Sequence, residues 1–175
     1  ESWTPVGEFD IIAFPLLYEL TYTNLLTCLD LAGVPLLAAD RTADHPLVIA
    51  GGPCAFNCEP LAPFLDVAVL GDGEEVIHEI LDTYKAWKNE GRKDRKDLLL
   101  RMARITGCYV PAFYEVSYNP DGTIREYRPT EPGVPAVVDR ATVKDLDAVD
   151  FPTRPVVPNT QIVFDRAQVE VFRGC

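Results

Sequence analysis

The chain has 175 residues, 47% of them hydrophobic, and carries a net charge of −11 at pH 7. That length can bury one core of ordinary size, and that charge makes free nucleic acid an unlikely partner for this part of the molecule. No apolar stretch approaches a membrane span, and no basic-then-apolar leader opens the chain, so no membrane partner is expected. Cys28, Cys54, Cys58, Cys108 and Cys175 are odd in number and lack paired spacing. That argues against a secreted disulfide scaffold and for the cytoplasm.

Asp10 to Leu16 reads as a buried strand. Thr21 or Thr23 is placed to cap a helix carrying Leu25, Leu26, Leu29 and Leu31, which Gly33 ends and Pro35 seals. Pro46 to Ala50 is a second apolar run, closed by Gly51-Gly52-Pro53. Glu59 to Leu65 is read as a short helix. Asp66 to Leu70 is a third buried strand, closed by Gly71-Asp72-Gly73. From Glu74 the period becomes helical, with Val76, Ile77, Ile80, Leu81, Tyr84 and Trp87 on one face. After a break at Asn89 to Gly91, a helix from about Asp94 carries Leu98, Leu99, Met102 and Ile105 and stops at Gly107. Apolar strands alternating with amphipathic helices predict an α/β fold with a parallel sheet and helices on both faces.

Charge is unevenly spread along this region. Residues 1–80 contain a single base, Arg41, whereas bases outnumber acids over residues 81–104. The run Arg92-Lys93-Asp94-Arg95-Lys96-Asp97 reads as a solvated helix–turn–helix surface, its interleaved acids repelling phosphates. Beyond it, Tyr114, Val116 and Tyr118 alternate into the turn Asn119-Pro120-Asp121-Gly122, and Ile124 to Tyr127 return, which predicts a β-hairpin. Six prolines between 129 and 158 mark an extended connector. The alternating run Ala167 to Phe172 then delivers Arg173-Gly174-Cys175.

Candidate chemistry lies at two strand ends, where open α/β sheets bind ligands. One supplies Gly51, Gly52 and Pro53, and the other Gly71, Asp72, Gly73 and Glu74. Glycine there admits a ligand close to the backbone, and a helix start offers free N–H groups. Asp72, Glu74 and Glu75 would repel a phosphate, and neither G-x-G-x-x-G nor a P-loop is present. Cys54 and Cys58, C-x-x-x-C without a second pair, read as ordinary loop and core cysteines. Cys28 reads as a small apolar residue, and Cys108 has no evident partner. His45 and His78 are isolated, and Tyr18 and Glu19 sit either at a ligand-facing position or in a packing and capping segment. Nothing assembles a nucleophilic catalytic group, so this piece is read as non-catalytic by itself.

The residues Phe9 to Phe14, Tyr18 to Asn24, Pro46 to Asn57, Glu59-Pro60-Leu61, Gly71 to Glu75 and Val169 to Cys175 together resemble the upstream region of radical SAM proteins. In these proteins a Rossmann-like, cobalamin-binding-like α/β domain precedes the radical SAM barrel. The resemblance implies that Arg173-Gly174-Cys175 opens C-x-x-x-C-x-x-C, with Cys175 the first ligand of a 4Fe–4S cluster that binds and cleaves S-adenosylmethionine (SAM). It implies three segments: an α/β domain over 1–107, hairpin and connector over 108–166, and the start of the barrel over 167–175. It also implies a first βα unit upstream of Glu1, an unidentified substrate, and the barrel of the same chain as partner. Cobalamin is an open expectation. The axial-histidine pattern D-x-H-x-x-G is missing, while base-off binding without a protein ligand stays an alternative. A second reading is a non-catalytic interaction module that keeps the cobalamin-type fold as scaffold. A proline expected before Glu59 is replaced by Cys58.

Overall fold

The computed structural model describes residues 3–92, 94–150, 160, 163 and 170–173. The chain forms two units, Glu1–Thr142 and Val143–Cys175. In the first, three short apolar runs become parallel strands: β1 (Ile11–Pro15), β2 (Leu47–Gly51) and β3 (Val67–Val69). Ala13 lies opposite Ile49 and Ile49 opposite Val67. A fourth strand, β4 (Cys108–Tyr109), runs antiparallel beside β3, giving the order β1-β2-β3-β4. Two residues carry no readable period, so β4 is absent from the sequence expectation. Cys108, which showed no partner in sequence, is buried there against Val69.

Three helices cover the sheet: α1 (Tyr22–Leu31), α2 (Gly73–Asn89) and α3 (Arg95–Met102). The two-residue period of the strands sorts their side chains between two clusters. Val48, Ala50 and Ala68 join Leu25 and Leu29 of α1 on one face. Leu47, Ile49, Val67 and Val69 join Val76, Ile80, Leu98 and Met102 of α2 and α3 on the other. The α2 stripe ends at Trp87, buried and donating from Nε1 to the Asp94 carbonyl at 2.9 Å. Thr21 does take the cap position of α1, but its hydroxyl donates back to the Tyr18 carbonyl at 2.7 Å and leaves the helix N–H groups alone. Asp94 caps α3 by accepting from the Lys96 N–H at 2.9 Å.

The amino ends of the strands are tied by charge. Asp66 Oδ2 accepts from Arg41 at 3.1 Å, from Arg95 at 2.8 Å and from the Val48 N–H at 2.7 Å. The Asp66 and Arg41 side chains are fully buried and that of Arg95 is 9% exposed. Burial lowers the pKa of the Arg41 guanidinium, and Asp66 opposes that shift. Other donors reach carbonyls, Arg41 those of Pro35, Leu36 and Phe64 and Arg95 those of Thr42, His45 and Pro46, while the buried Arg95 Nε meets no acceptor among the described residues. Arg95 thus departs from the solvated surface predicted for residues 92–97. The first turn of α3 places it over the strand starts, where a buried carboxylate repays its desolvation.

The hairpin forms as read, with β5 (Tyr114–Tyr118) and β6 (Ile124–Pro129) closed by Gly122 at a φ of +84°. Within the second unit, Leu146–Ala148 make one 3-10 turn capped by Asp145, and Arg173 pairs with Glu170 at 2.6 Å. Residues 170–173 form no strand, and 167–169 of that expected run lie outside the described residues.

Replacing Asp66 by Asn strands two buried guanidiniums. It is expected to destabilise the fold by about 3–5 kcal/mol. Urea unfolding checks this through a lower midpoint at unchanged slope.

Candidate ligand cleft at the strand ends

At the opposite end of the sheet, β1, β2 and β3 deliver their carboxyl termini beside the start of α2. A cleft of about 590 Å³ opens there, within the range of small-ligand sites. Its walls are Ala13, Phe14 and Pro15 of β1, Ile49, Ala50 and Gly51 of β2, Val69 of β3, and Val76, Ile77 and Ile80 of α2. Gly52, Gly73 and Glu74 complete it. Four of the seven residues predicted at the strand ends, Gly51, Gly52, Gly73 and Glu74, therefore meet in one cavity. Pro53, Gly71 and Asp72 do not line it. Pro53 starts the 3-10 turn Pro53–Asn57 after β2.

The four glycines serve different ends. Gly52 has a φ of +103°, and a Cβ there would lie 2.9 Å from the Leu16 carbonyl oxygen. That close approach is needed because Leu16 donates to the Gly51 carbonyl at 2.7 Å and accepts from the Cys54 N–H at 3.0 Å. Gly71 has a φ of +105° and bridges to Ala141 of the connector. The Asp72 N–H donates to Ala141, and the Ala141 N–H donates to Leu70. A Cβ on Gly71 would meet the Ala141 oxygen at 2.1 Å. The chain's own connector thus uses the backbone that a ligand was expected to approach. Gly51 and Gly73 carry no such demand. Neither has positive φ, a Cβ on Gly51 would make ordinary contact with Val69 at 3.7 Å, and one on Gly73 would meet nothing within 4 Å.

Beside the cleft, the Tyr22 hydroxyl donates to the Cys54 and Asn57 carbonyls at 3.1 and 2.9 Å and ties the β2 loop to α1. A polar cluster unannounced in the sequence lies further along. Glu59 Oε1 accepts from Tyr109 at 2.7 Å and Tyr127 at 3.1 Å, the two phenols touch, and Tyr114 stacks on Tyr127 with centroids 5.3 Å apart. Burial first, then the Glu59 charge, raise the Tyr127 pKa. These residues converge only through β4 and the hairpin, so no local spacing signals them.

The cysteines are split by depth. Cys58 and Cys108 are buried, which pushes their thiols up to about 11 and about 12. Cys54 is partly buried and raised by desolvation and by Glu19, and Cys28 is exposed. Tyr18 is half exposed, and Glu19 opens the 3-10 turn Glu19–Thr21. His45 sits at the amino end of β2, its Nδ1 accepting from the Thr42 N–H at 3.0 Å, and His78 is exposed on α2. Neither histidine lines the cleft. Among the described residues no three His, Cys, Asp or Glu side chains are grouped to hold a metal. Gly174 and Cys175 lie outside the described residues.

Residues 1–111 match the family described as radical SAM proteins, N-terminal. The chain belongs to this family. No curated protein and no solved structure matches it. Membership in the radical SAM N-terminal family makes this an accessory domain of a radical SAM protein and implies a radical SAM domain C-terminal to it in the same chain. It likewise implies a 4Fe–4S cluster and SAM in the parent protein. The radical SAM N-terminal domain has the α/β architecture expected from its sequence, and among its described residues no helix is long and apolar enough to cross a membrane.

Gly71→Ala forces a side chain into positive φ against a fixed carbonyl and is expected to cost more than about 1 kcal/mol, read as a lower melting temperature. The buried thiols give a pH dependence with a definite sign. Their folded pKa values exceed the ordinary value of 9.0, so the stability they contribute is complete below pH 9 and is lost as pH rises toward 11 and 12. The double variant Cys58→Ala, Cys108→Ala is expected to show a flatter fall in unfolding midpoint above pH 9.

Proposed function

We propose that this domain is the accessory module of a cytoplasmic radical SAM enzyme and presents a ligand from its strand ends to the radical SAM domain of the same chain. The family match over residues 1–111 carries the reading, and a cleft at the strand ends supports it. Gly51, Gly52, Gly73 and Glu74 would line the bound ligand, with Pro53, Gly71 and Asp72 shaping the loops behind them. In this assignment residues 1–107 are the α/β domain, 108–166 the hairpin and connector, and 167–175 the entry to the radical SAM domain. Cys175 supplies the first thiolate of the cluster. When bound, that cluster provides the electron that cleaves SAM to a 5′-deoxyadenosyl radical. The chain's own described residues bind and orient, and the acceptor of the radical lies with the radical SAM domain.

One observation favours the scaffold reading as a second choice. Leu17, Leu20 and Phe56, 64%, 80% and 60% exposed, stand on the loops after β1 and β2. Exposed apolar side chains on neighbouring loops suit docking against another protein surface.

The parent protein, reconstituted anaerobically with iron and sulfide and given a reductant, is expected to form 5′-deoxyadenosine from SAM. Cys175→Ala should abolish both stoichiometric iron and product. Retention of SAM cleavage in that variant would remove Cys175 from the ligand set.

A further inference from the structure

We infer that the strand-end cleft selects an uncharged, apolar ligand and rejects one bearing a phosphate, with the bare backbone of Gly51 and Gly73 as its seat. This rests on the cleft being the ligand site proposed above and adds the chemical class of what it takes.

Three observations carry it. The first is the lining, which among the described residues contains no Lys, Arg, His, Asn, Gln, Ser or Thr side chain and a single ionisable one, Glu74. A buried anion left without a partner is costly, and no described side chain of the lining offers it one. The second is the start of α2. A helix N-terminus supplies about half a positive charge, which ordinarily welcomes an anion. Here Asp72 stands at the cap and Glu74 and Glu75 fill the first turn, so carboxylates of the chain itself already stand where an anion would approach. The third is the division among the glycines. Gly52 and Gly71 are required by the fold, through positive φ and close approach to Leu16 and Ala141. Gly51 and Gly73 are not, since each tolerates a Cβ sterically and neither needs positive φ. A glycine that the fold does not need, on the wall of a cavity, leaves room for something else to touch the backbone. With Ile49, Val69 and Ile80 as the remaining surface, that something is an aliphatic chain or a neutral ring.

Binding to the intact protein can be read with Nile red, a neutral dye whose emission rises in apolar sites. The dye is expected to bind and to be displaced by 1-octanol, while octyl phosphate competes at least about tenfold more weakly because its charge has no partner. Gly51→Leu should abolish the signal by filling the cleft. Should that variant fold poorly, Ala13→Phe fills the same space from an exposed position on β1. Gly73→Ala should weaken binding while the melting temperature stays equal or rises, since alanine favours helix over glycine. A purely structural role for Gly73 predicts the reverse pairing. Equal competition by octyl phosphate, dye binding that survives both filling variants, or no dye binding to the intact protein would each overturn the inference. Formation of 5′-deoxyadenosine, measured separately, reports on the radical SAM assignment. Its loss with dye selectivity intact would fault that assignment and leave the ligand class standing.

Discussion

Asp66, itself fully buried, accepts hydrogen bonds from two guanidiniums and from the β2 backbone, and the amino end of the sheet is organised around that carboxylate. Through Arg41 it fixes the segment after α1 and the turn before β3. Through Arg95 it fixes the chain entering β2 and the first turn of α3. Four stretches distant in sequence are held by one charged centre, because each guanidinium can reach several carbonyls at once. Such a centre is unforgiving: removing one member leaves the others buried and uncompensated. Strands as short as β2 and β3 therefore have their register set at the amino end.

That arrangement leaves the carboxyl end comparatively free. There the connector closes over Gly71 through Ala141, and Leu16 closes over Gly52, but between β1 and α2 the apolar wall stays open. A radical SAM N-terminal domain anchored at one end and open at the other fits the ligand-presenting role proposed above. Backbone geometry separates the glycines that the scaffold requires, Gly52 and Gly71, from those that it does not, Gly51 and Gly73.

Much of this was legible in the amino-acid sequence. Continuous apolar runs at Ile11, Leu47 and Val67 and the stripe from Val76 to Trp87 have periods that only strands and helices produce. The strand-end glycines were visible as a class, but their roles depend on φ and on what lies across a gap, such as Ala141, seventy residues from Gly71. Arg95 was hidden inside a charged run, where nothing local separates a buried guanidinium from solvated neighbours. The Glu59, Tyr109 and Tyr127 contact and the two-residue β4 were equally silent, because long-range pairing made them and no repeat marks it.

Native-state hydrogen exchange on the intact protein tests the division between a fixed amino end and an open, ligand-holding carboxyl end most directly. The account predicts that the Val48 N–H, bonded to Asp66, exchanges only through global unfolding, whereas the N–H groups of Gly73 to Val76, in the first turn of α2, exchange through small local openings. An uncharged apolar ligand should slow the second set and leave the first unchanged. Equal protection at both ends, or a ligand effect confined to the Asp66 end, would contradict it.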